Sequence, residues 1–263
     1  MQVSNTLRRK VKELTIAAGA YRPARRLYRR LNRTKYRTHL NDTRFYGSLL
    51  PRSALSFDVG ANIGDKSEAL IEAGSRVVAF EPNPLLHGEL LSRFKGERNW
   101  TVVLAAVGGE PGVLPFYARE IPLLSSLDVE GVQEWQAPLI GTYHVPVVTL
   151  DMAIQTFGVP FFCKVDVEGW EYEVLKGLAT PIPVVSLEYH LNHKGVQRVR
   201  DCLQRLKLLG ASSVNVTPAE TPVFLFERWM ELDRFLEWFP GDLEQKLGGD
   251  VYGDMLIRND RST

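Results

Sequence analysis

The sequence predicts an α/β fold with a mostly parallel sheet that is covered by helices on both faces. From residue 54 onward, short apolar runs alternate with segments of helical periodicity, which is the pattern of βαβ units. Two of these runs end in an acid followed by a glycine turn, at Asp58 and at Asp166, where such folds bind nucleotide-type ligands. With 263 residues, the chain can form one sizeable core and an appendage.

The first acid and turn lie in FDVGANIGDKSEAL, residues 57–70. The strand ends in Asp58, the turn runs from Gly60 to Gly64, and Asp65 is predicted to cap the helix that follows. Glycine lets the backbone turn sharply and lets a ligand approach closely. The free N–H groups of the helix start favour a negative ligand group. The alternative is an ordinary βαβ turn with a capping aspartate.

The second strand, residues 76–80, ends in Glu81, and an acid at this position usually binds a ribose. A dinucleotide-binding turn has the pattern G-x-G-x-x-G, because the pyrophosphate must lie against bare backbone. Here the pattern is G-A-N-I-G, with Asn62 where bare backbone is preferred. A ligand with a ribose and a carboxylate but no pyrophosphate fits better. S-adenosylmethionine is such a ligand.

The pattern predicts further elements in order. A helix is predicted at residues 85–94 and a third strand at 100–107. Residues 112–148 interrupt the alternation with two short strands around a loop, and this insertion is placed to cover the pocket. A short helix capped by Thr149 or Asp151 leads to the second informative block.

The second block is FFCKVDVEGWEYEVLKG, residues 161–177. Its apolar run is predicted to be the fourth strand, which ends in Asp166 beside the first strand at the pocket mouth. Lys164 is unusual inside an apolar strand and is predicted to pair with a neighbouring carboxylate. The fifth strand places Glu188 and His190 at its own carboxyl end.

The remaining residues predict the end of the sheet. A sixth strand is predicted at 211–217 and a helix at 230–239. Residues 223–228 are either a further strand or the start of an insertion. A final strand at 253–259 is predicted to insert antiparallel to its neighbours.

The segments FDVGANIGDKS, AFEPNP and KVDVEGWEYEVLKG, followed by LEYH, resemble the FkbM family of S-adenosylmethionine-dependent methyltransferases. The resemblance extends from about residue 40 to residue 259, and KVDVEGWEYEVLKG is its specific part. It implies a Rossmann-like sheet of seven strands with a reversed last strand. It also implies O-methylation of a hydroxyl, often on a sugar or a polyketide.

The resemblance also implies how the methyl donor is held. Glu81 would take the ribose hydroxyls, flanked by Pro82 and Asn83. Ala106 lies where the third strand normally ends in an acid, so backbone and apolar contact would hold the adenine. Asp166 would border both donor and methyl acceptor. Four residues of the first block would line the methionine end of the donor: Asp58, Gly60, Asn62 and Gly64.

A hydroxyl acceptor must lose its proton during methyl transfer, so a general base is needed. Asp166 or His190 is predicted to be this base, with Glu188 orienting it. Alternatively, Asp166 only contacts the donor, and His190 is a strand-end histidine satisfied by the backbone. These three groups and Glu168 could also hold magnesium. Because nothing here has a metal-specific spacing, no metal ligand is predicted.

The net charge of +1 hides an uneven distribution. Residues 1–52 contain 14 basic and 2 acidic residues, whereas the remainder contains 18 basic and 29 acidic residues. Residues 5–35 predict one basic amphipathic helix, or two helices broken near Gly19 and Pro23. This segment either lies on an anionic membrane or a charged lipid-linked substrate, or packs on the acidic body. A nucleic-acid partner is disfavoured, because no recognisable nucleic-acid motif accompanies the arginines.

The composition predicts a basic helical extension at residues 1–50 and a methyltransferase domain at 51–263. Cys163 and Cys202 are expected to be buried and unpaired, as in a reducing compartment. The predicted location is cytoplasmic, with peripheral membrane contact through the extension as an option. No apolar run approaches the roughly 20 residues that span a membrane, and the run at 14–21 is too short for a signal sequence.

The sequence therefore predicts a S-adenosylmethionine-dependent O-methyltransferase that acts on a hydroxyl of a glycan, a glycolipid or a related small molecule. One alternative is a protein that binds S-adenosylmethionine without turnover and is tethered to membrane or nucleic acid by its basic arm. A nicotinamide-dependent oxidoreductase is disfavoured by the missing glycine. A nucleic-acid methyltransferase is indicated only by the arginines. The oligomeric state is not indicated.

Overall fold

A computed structural model describes residues 33–119, 125, 127, 138–219, 221–247 and 252–259. Of residues 33–35 and His193 it describes the backbone alone. The basic helix predicted at residues 5–35 therefore lies outside the described residues, apart from its last three positions.

The described residues form eleven strands and eight helices. The strands are β1 Leu55–Val59, β2 Arg76–Phe80, β3 Trp100–Val103, β4 Ala106–Val107, β5 Gly112–Arg119, β6 Leu139–Val148, β7 Phe162–Val165, β8 Val184–His190, β9 Ser213–Pro218, β10 Met230–Glu231 and β11 Tyr252–Arg258. The helices are α1 Arg33–Leu49, α2 Asp65–Glu72, α3 Pro84–Arg93, α4 Leu150–Phe157, α5 Glu171–Lys176, α6 His193–Leu208, α7 Leu232–Trp238 and α8 Leu243–Lys246. Within the described ranges, none of these helices has the length and apolar character needed to cross a bilayer.

Eight strands form the main sheet, in the order β10-β9-β11-β8-β7-β1-β2-β3. All but β10 and β11 run in the same direction. Strand β1 pairs with β2 on one side and with β7 on the other, so the strand order reverses beside it. In open parallel sheets, ligands bind at the carboxyl ends of the strands at such a switch point.

Apolar side chains cover both faces of the sheet. Phe162 and Val77 belong to one buried cluster, whereas the adjacent residues Cys163 and Val78 belong to another. Successive strand residues point to opposite faces, so the two clusters are the two layers between sheet and helices. Both cysteines, Cys163 and Cys202, are buried and unbonded, as predicted.

The third strand is shorter than the sequence predicts. Strand β3 ends at Val103, and the chain bends at Leu104. Ala106 then pairs with Val147 in a second sheet, in the order β4-β6-β5. The predicted strand at 100–107 is therefore wrong beyond Val103, because the chain must leave the main sheet to enter the insertion. The two strands predicted in the insertion are β5 and β6.

The end of the chain completes the main sheet. Strand β11 lies between β8 and β9 and is antiparallel to both, so the predicted reversed strand is confirmed. Residues 223–228 form no strand. The two-residue strand β10 occupies the edge and is an eighth strand beyond the seven that were implied. The helix predicted at 230–239 begins only at Leu232, since Met230 and Glu231 pair with β9.

Helix α1 packs against the sheet and α2, although it lies within the basic extension. Tyr46 is 5% exposed, and its ring centroid lies 5.6 Å from that of Phe162. The ammonium of Lys66 on α2 donates to the carboxylate of Asp42 on α1 at 3.0 Å. The carboxyl-terminal part of the extension is thus part of the packed body.

We expect Tyr46→Ala to lower the free energy of unfolding by about 3 kcal/mol, because it removes a buried ring from contact with Phe162. Urea denaturation followed by circular dichroism measures the loss. Tyr36→Ala on the same helix is the matched control; its side chain is 37% exposed, and the change should be within about 0.5 kcal/mol. Equal losses in the two variants would contradict the packing of α1.

Candidate active site

The glycine turn after β1 lies against the end of β7. Gly60 has a φ of +84°, and a Cβ at this position would lie 1.9 Å from the carbonyl oxygen of Asp166. Only glycine fits this approach. The N–H groups of Gly60 and Ala61 both donate to the carbonyl of Phe80 at 3.0 Å. The ends of β1, β2 and β7 are therefore held together by this turn.

The second glycine of the turn fixes the start of α2. Gly64 has a φ of +80°, and a Cβ there would lie 2.7 Å from side-chain atoms of Leu90 and Phe94. Gly64 is the residue that precedes the helix, and no side chain caps it, so the predicted Asp65 cap is wrong. Asp65 instead lies in the first turn and accepts a hydrogen bond from Arg93 at 2.8 Å.

The carboxylate of Glu81 is held at the end of β2 by two backbone N–H groups. Asn62 donates to one oxygen at 2.7 Å and Asn83 to the other at 2.8 Å. Burial raises the pKa of Glu81 to about 7, although both hydrogen bonds favour the charged form. Each oxygen retains a lone pair, so the pair of oxygens can accept from two adjacent hydroxyls.

A cavity opens at these strand ends, and about 640 Å³ of space lies between its walls and its open mouth. Apolar residues such as Leu86 and Ala105 form part of its wall, which suits the faces of an aromatic base. Six of the nine predicted cofactor residues line this cavity: Gly60, Asn62, Glu81, Pro82, Ala106 and Asp166.

The other three predicted cofactor residues, Asp58, Gly64 and Asn83, lie behind the cavity wall. Asp58 is 2% exposed and accepts a hydrogen bond from Ser67 at 2.5 Å; burial raises its pKa. The side chain of Asn83 caps α3 by accepting from the N–H of Leu85 at 3.0 Å. These residues are therefore placed to support the turn and Glu81.

The insertion and the turn after β7 supply walls that the sequence did not assign. Phe116 from β5, with Ser125 and Leu127 from the following loop, lines the cavity next to Trp170. The sequence predicted that the insertion covers the pocket, but its irregular periodicity did not single out these residues. Trp170 both lines the cavity and packs against the buried cluster of the insertion. A tryptophan at the start of a helix is expected in either role, so the sequence alone does not tell them apart.

Strand β7 carries a buried lysine that links two carboxylates. The ammonium of Lys164 lies 2.5 Å from Asp166 and 3.8 Å from Asp254 on β11, and its side chain is 3% exposed. Burial disfavours the charged lysine, but the carboxylates prevail and raise the pKa of Lys164. For Asp166, burial opposes ionisation, yet Lys164 holds the pKa below its usual value. The predicted pairing of Lys164 is confirmed, and Asp166 is ionised at neutral pH.

Further carboxylates crowd the same edge. Glu171 accepts from two N–H groups of the turn 167–169, at 3.2 and 3.1 Å, and burial raises its pKa. Burial, with help from neighbouring carboxylates, raises the pKa of Glu168 to about 9 and that of Glu188 to about 7. At neutral pH the edge is therefore less negative than its residue types imply.

Glu188 and His190 lie together at the end of β8, as predicted. The Nε2 atom of His190 is 3.5 Å from a carboxylate oxygen of Glu188, and this neighbour raises the pKa of His190. The imidazole stacks on Tyr252, with ring centroids 5.9 Å apart. Asp166 lies close enough to influence the ionisation of Glu188. The structure therefore brings all three predicted catalytic residues to one edge.

Three side chains at the same edge could together bind a cation. One ligand-type atom from each of Glu168, Glu188 and His190 lies within 4.8 Å of the others. Two carboxylates and an imidazole are able to hold a divalent cation. That no metal is bound stays a prediction, which chelation tests below.

The model of the methyltransferase FkbM domain matches residues 58–230, which is more than half of the chain. The chain belongs to the FkbM methyltransferase family. Its methyl donor is S-adenosylmethionine, as the sequence predicted. No curated protein sequence matches the chain.

Solved structures similar to this FkbM-family chain include other methyltransferases. A TehB-like S-adenosylmethionine-dependent methyltransferase from Corynebacterium glutamicum is 11% identical, covering 84% of this chain and 88% of its own, with a TM-score of 0.45. Aeropyrum pernix fibrillarin with natively bound S-adenosylmethionine is 12% identical, covering 83% and 76%, with a TM-score of 0.44. A precorrin-6y C5,15-methyltransferase from Geobacter metallireducens is 13% identical, covering 82% and 84%, with a TM-score of 0.41.

In this FkbM-family methyltransferase, we expect Glu81→Gln to weaken the binding of S-adenosylhomocysteine at least about tenfold. The amide places an N–H donor opposite the backbone N–H of Asn62 or Asn83 and removes one of the two acceptors that the ribose hydroxyls would use. Calorimetric titration measures the affinity, with NAD as a ligand that should not bind. Glu110→Gln, at an exposed position, is the control. Unchanged affinity in Glu81→Gln would show that Glu81 does not contact the donor.

We expect Lys164→Met to lower the free energy of unfolding by about 2 kcal/mol at pH 8, since it leaves two half-buried carboxylates without their cation. The loss should shrink at pH 5. In the variant the pKa of Asp166 is no longer depressed, so its half-buried carboxylate takes up a proton as the pH falls.

Denaturant titration at the two pH values measures this difference. Lys176→Met is the matched control, because that lysine is 48% exposed and pairs with Glu173 on the surface; its effect should stay below about 1 kcal/mol. If Lys164→Met loses the same free energy of unfolding at both pH values, the loss comes from packing alone and not from the unpaired carboxylates.

Proposed function

We propose that the protein transfers a methyl group from S-adenosylmethionine to a hydroxyl oxygen of a sugar, a glycolipid or a related small molecule. The observation that carries this proposal is the pair of Glu188 and His190 beside Asp166, at the edge where the donor cavity opens. A hydroxyl is a poor nucleophile until its proton is removed, and an imidazole with a carboxylate partner is suited to that task.

The residues that line the cavity at the strand ends support its assignment to the methyl donor. We assign the ribose hydroxyls to Glu81, the methionine part to Gly60 and Asn62, and the adenine to the apolar wall around Ala106. A side chain at position 60 would collide with the carbonyl of Asp166 and displace the turn from the cavity wall. When bound, S-adenosylmethionine supplies an electrophilic methyl group on a positively charged sulphur. Asp166 lines this cavity and is ionised, so it favours a positive ligand group there.

His190 is a better candidate for the base than Asp166. The Nε2 atom of His190 faces Glu188, so Nδ1 is the nitrogen that remains to accept a proton. Glu188 would orient the ring and stabilise the imidazolium that forms. Asp166 is bonded to Lys164, and its depressed pKa makes it a weak base. These contacts support His190 as the base and Glu188 as its orienting partner.

The test is an acceptor screen. The full chain is incubated with S-adenosylmethionine carrying a labelled methyl group and with sugars, glycosides and glycolipids, and mass spectrometry locates the label. A methoxy group on a sugar is the expected product. Tight binding of S-adenosylhomocysteine without any hydroxyl methylation would favour a binding protein without turnover. Label in RNA instead of the sugars would contradict the proposed methyl acceptor.

The rate should rise with pH through the apparent pKa of His190, which lies above its usual 6.5, because only the neutral imidazole accepts a proton. Glu188→Gln should move this midpoint to lower pH, since it removes the carboxylate that raises the pKa of His190. The measurement is kcat against pH in the presence of EDTA, with activity expected to persist in the chelator.

Two variants test whether His190 is the base. His190→Ala should lower kcat by about 100-fold or more while it binds S-adenosylhomocysteine normally. His144→Ala changes an exposed histidine on β6 and should leave kcat unchanged. Normal turnover in His190→Ala would exclude His190 as the base, and loss of activity in EDTA would assign the cluster to a cation instead.

A further inference from the structure

The ring of Tyr252 on β11 covers one face of the imidazole of His190. The two residues are direct partners in the antiparallel pairing of β11 with β8, so their side chains leave the sheet on the same face. The ring planes are inclined by 22° and the centroids are 5.9 Å apart, which is within the range of aromatic pairs that attract each other. The contact therefore follows from the strand register and is an attractive, offset stack.

The backbone that carries Tyr252 is held by the neighbouring strands. The carbonyl of Tyr252 accepts a hydrogen bond from the N–H of Ala219, just after β9, at 2.9 Å. A Cβ at Gly253, the next residue, would lie 2.2 Å from the carbonyl oxygen of Thr217, so only glycine permits this approach. The ring of Tyr252 therefore projects from a backbone whose position relative to β8 and β9 is set by direct contacts.

The contact with Glu188 does not fix the imidazole by itself. The Nε2 atom of His190 lies 3.5 Å from the carboxylate oxygen, beyond the about 2.7–3.2 Å of a good hydrogen bond. The side chain of His190 is also 36% exposed, so it has room for other rotamers on its open side. The stack with Tyr252 is a second contact, and it restricts these rotamers.

The same strand also supports the anion beside the donor. Asp254 is two residues after Tyr252 on β11, so its side chain lies on the same face of the sheet. Its carboxylate lies 3.8 Å from the ammonium of Lys164, which is bonded to Asp166. Strand β11 thus places one side chain against the candidate base and another against the lysine that holds Asp166.

We propose that Tyr252 is a positioning residue for His190. Its ring keeps the imidazole in the orientation in which Nε2 faces Glu188 and Nδ1 stays open to the hydroxyl of the methyl acceptor. The orientation of the imidazole depends on the stack alone, whereas its effect on methyl transfer rests on the proposed function. Tyr252 acts through its ring and not through its hydroxyl, so phenylalanine can replace it and leucine cannot.

The first test measures the orientation of the imidazole without any turnover. The full chain is prepared with isotope-labelled histidine, and His190→Ala assigns the NMR signals of the His190 ring. Tyr252→Leu should remove the ring-current shift of these signals and increase the motion of the ring C–H bonds in relaxation measurements. Tyr252→Phe should retain both the shift and the restricted motion. Identical His190 signals and ring motion in the wild-type chain and in Tyr252→Leu would overturn the proposal.

The second test measures turnover. In Tyr252→Leu, kcat on the plateau at high pH should fall about tenfold, because deprotonation does not redirect a misplaced base. The affinity for S-adenosylhomocysteine should stay unchanged, because Tyr252 lies outside the described lining of the donor cavity. Tyr252→Phe should keep the wild-type kcat. Tyr36→Leu on α1 is the matched control, since Tyr36 is 37% and Tyr252 38% exposed, and it should leave kcat unchanged.

The orientation of His190 and the proposed function fail separately. Restricted His190 signals that Tyr252→Leu releases, in a protein that methylates no hydroxyl, would refute the proposed function and support the orienting stack. Hydroxyl methylation with a normal kcat in Tyr252→Leu would overturn the positioning role and keep the proposed function. A loss of kcat in Tyr252→Phe as large as that in Tyr252→Leu would assign the role to the hydroxyl of Tyr252 and would also overturn the proposal.

Discussion

The close approach of the glycine turn to the end of β7 is the constraint on which the rest of the site depends. The carbonyl of Asp166 occupies the space of any side chain at position 60. Because the same turn bonds to the end of β2 through Phe80, one short segment sets the relative positions of three strand ends. Glu81 and Asp166, which come from distant parts of the chain, thereby line one cavity. The packed layers on both faces of the sheet keep this arrangement in place.

The acidic side chains at the carboxyl ends of β7 and β8 do not share one ionisation state. Lys164 stabilises the ionised form of Asp166, whereas Glu168 and Glu188 lie where burial favours their protonated forms. Asp166, Glu168 and Glu188 would repel one another if all three were ionised. Keeping Asp166 ionised and letting Glu168 hold a proton lowers that repulsion. The same separation gives the proposed reaction an anion beside the donor and, at His190, a group that accepts a proton.

The sequence predicts the parts of the site that local pattern controls. Glu81 and Asp166 follow from strands that end before turns, since parallel strands bring their carboxyl ends together. The cap of α2 was mispredicted, because Gly64 takes that position through contact with α3 and leaves Asp65 free to pair elsewhere. Asp254 is the second partner of Lys164 because β11 inserts between β8 and β9. The local sequence around Lys164 carries no information about that insertion. The cavity walls supplied by the insertion depend in the same way on tertiary packing.

Glu168 adopts a left-handed backbone conformation, with a φ of +54°, and Gly169 after it has a φ of +96°. A residue with a side chain costs about 1 kcal/mol or more in this region, whereas glycine does not. The chain thus tolerates strain at a position that lines the cavity at the strand ends. Replacement of Glu168 by glycine would relax the backbone and remove the carboxyl group from the cavity wall, so backbone stability and the proposed chemistry make opposite demands on this position. Selection for thermal stability alone would therefore act against the carboxyl group.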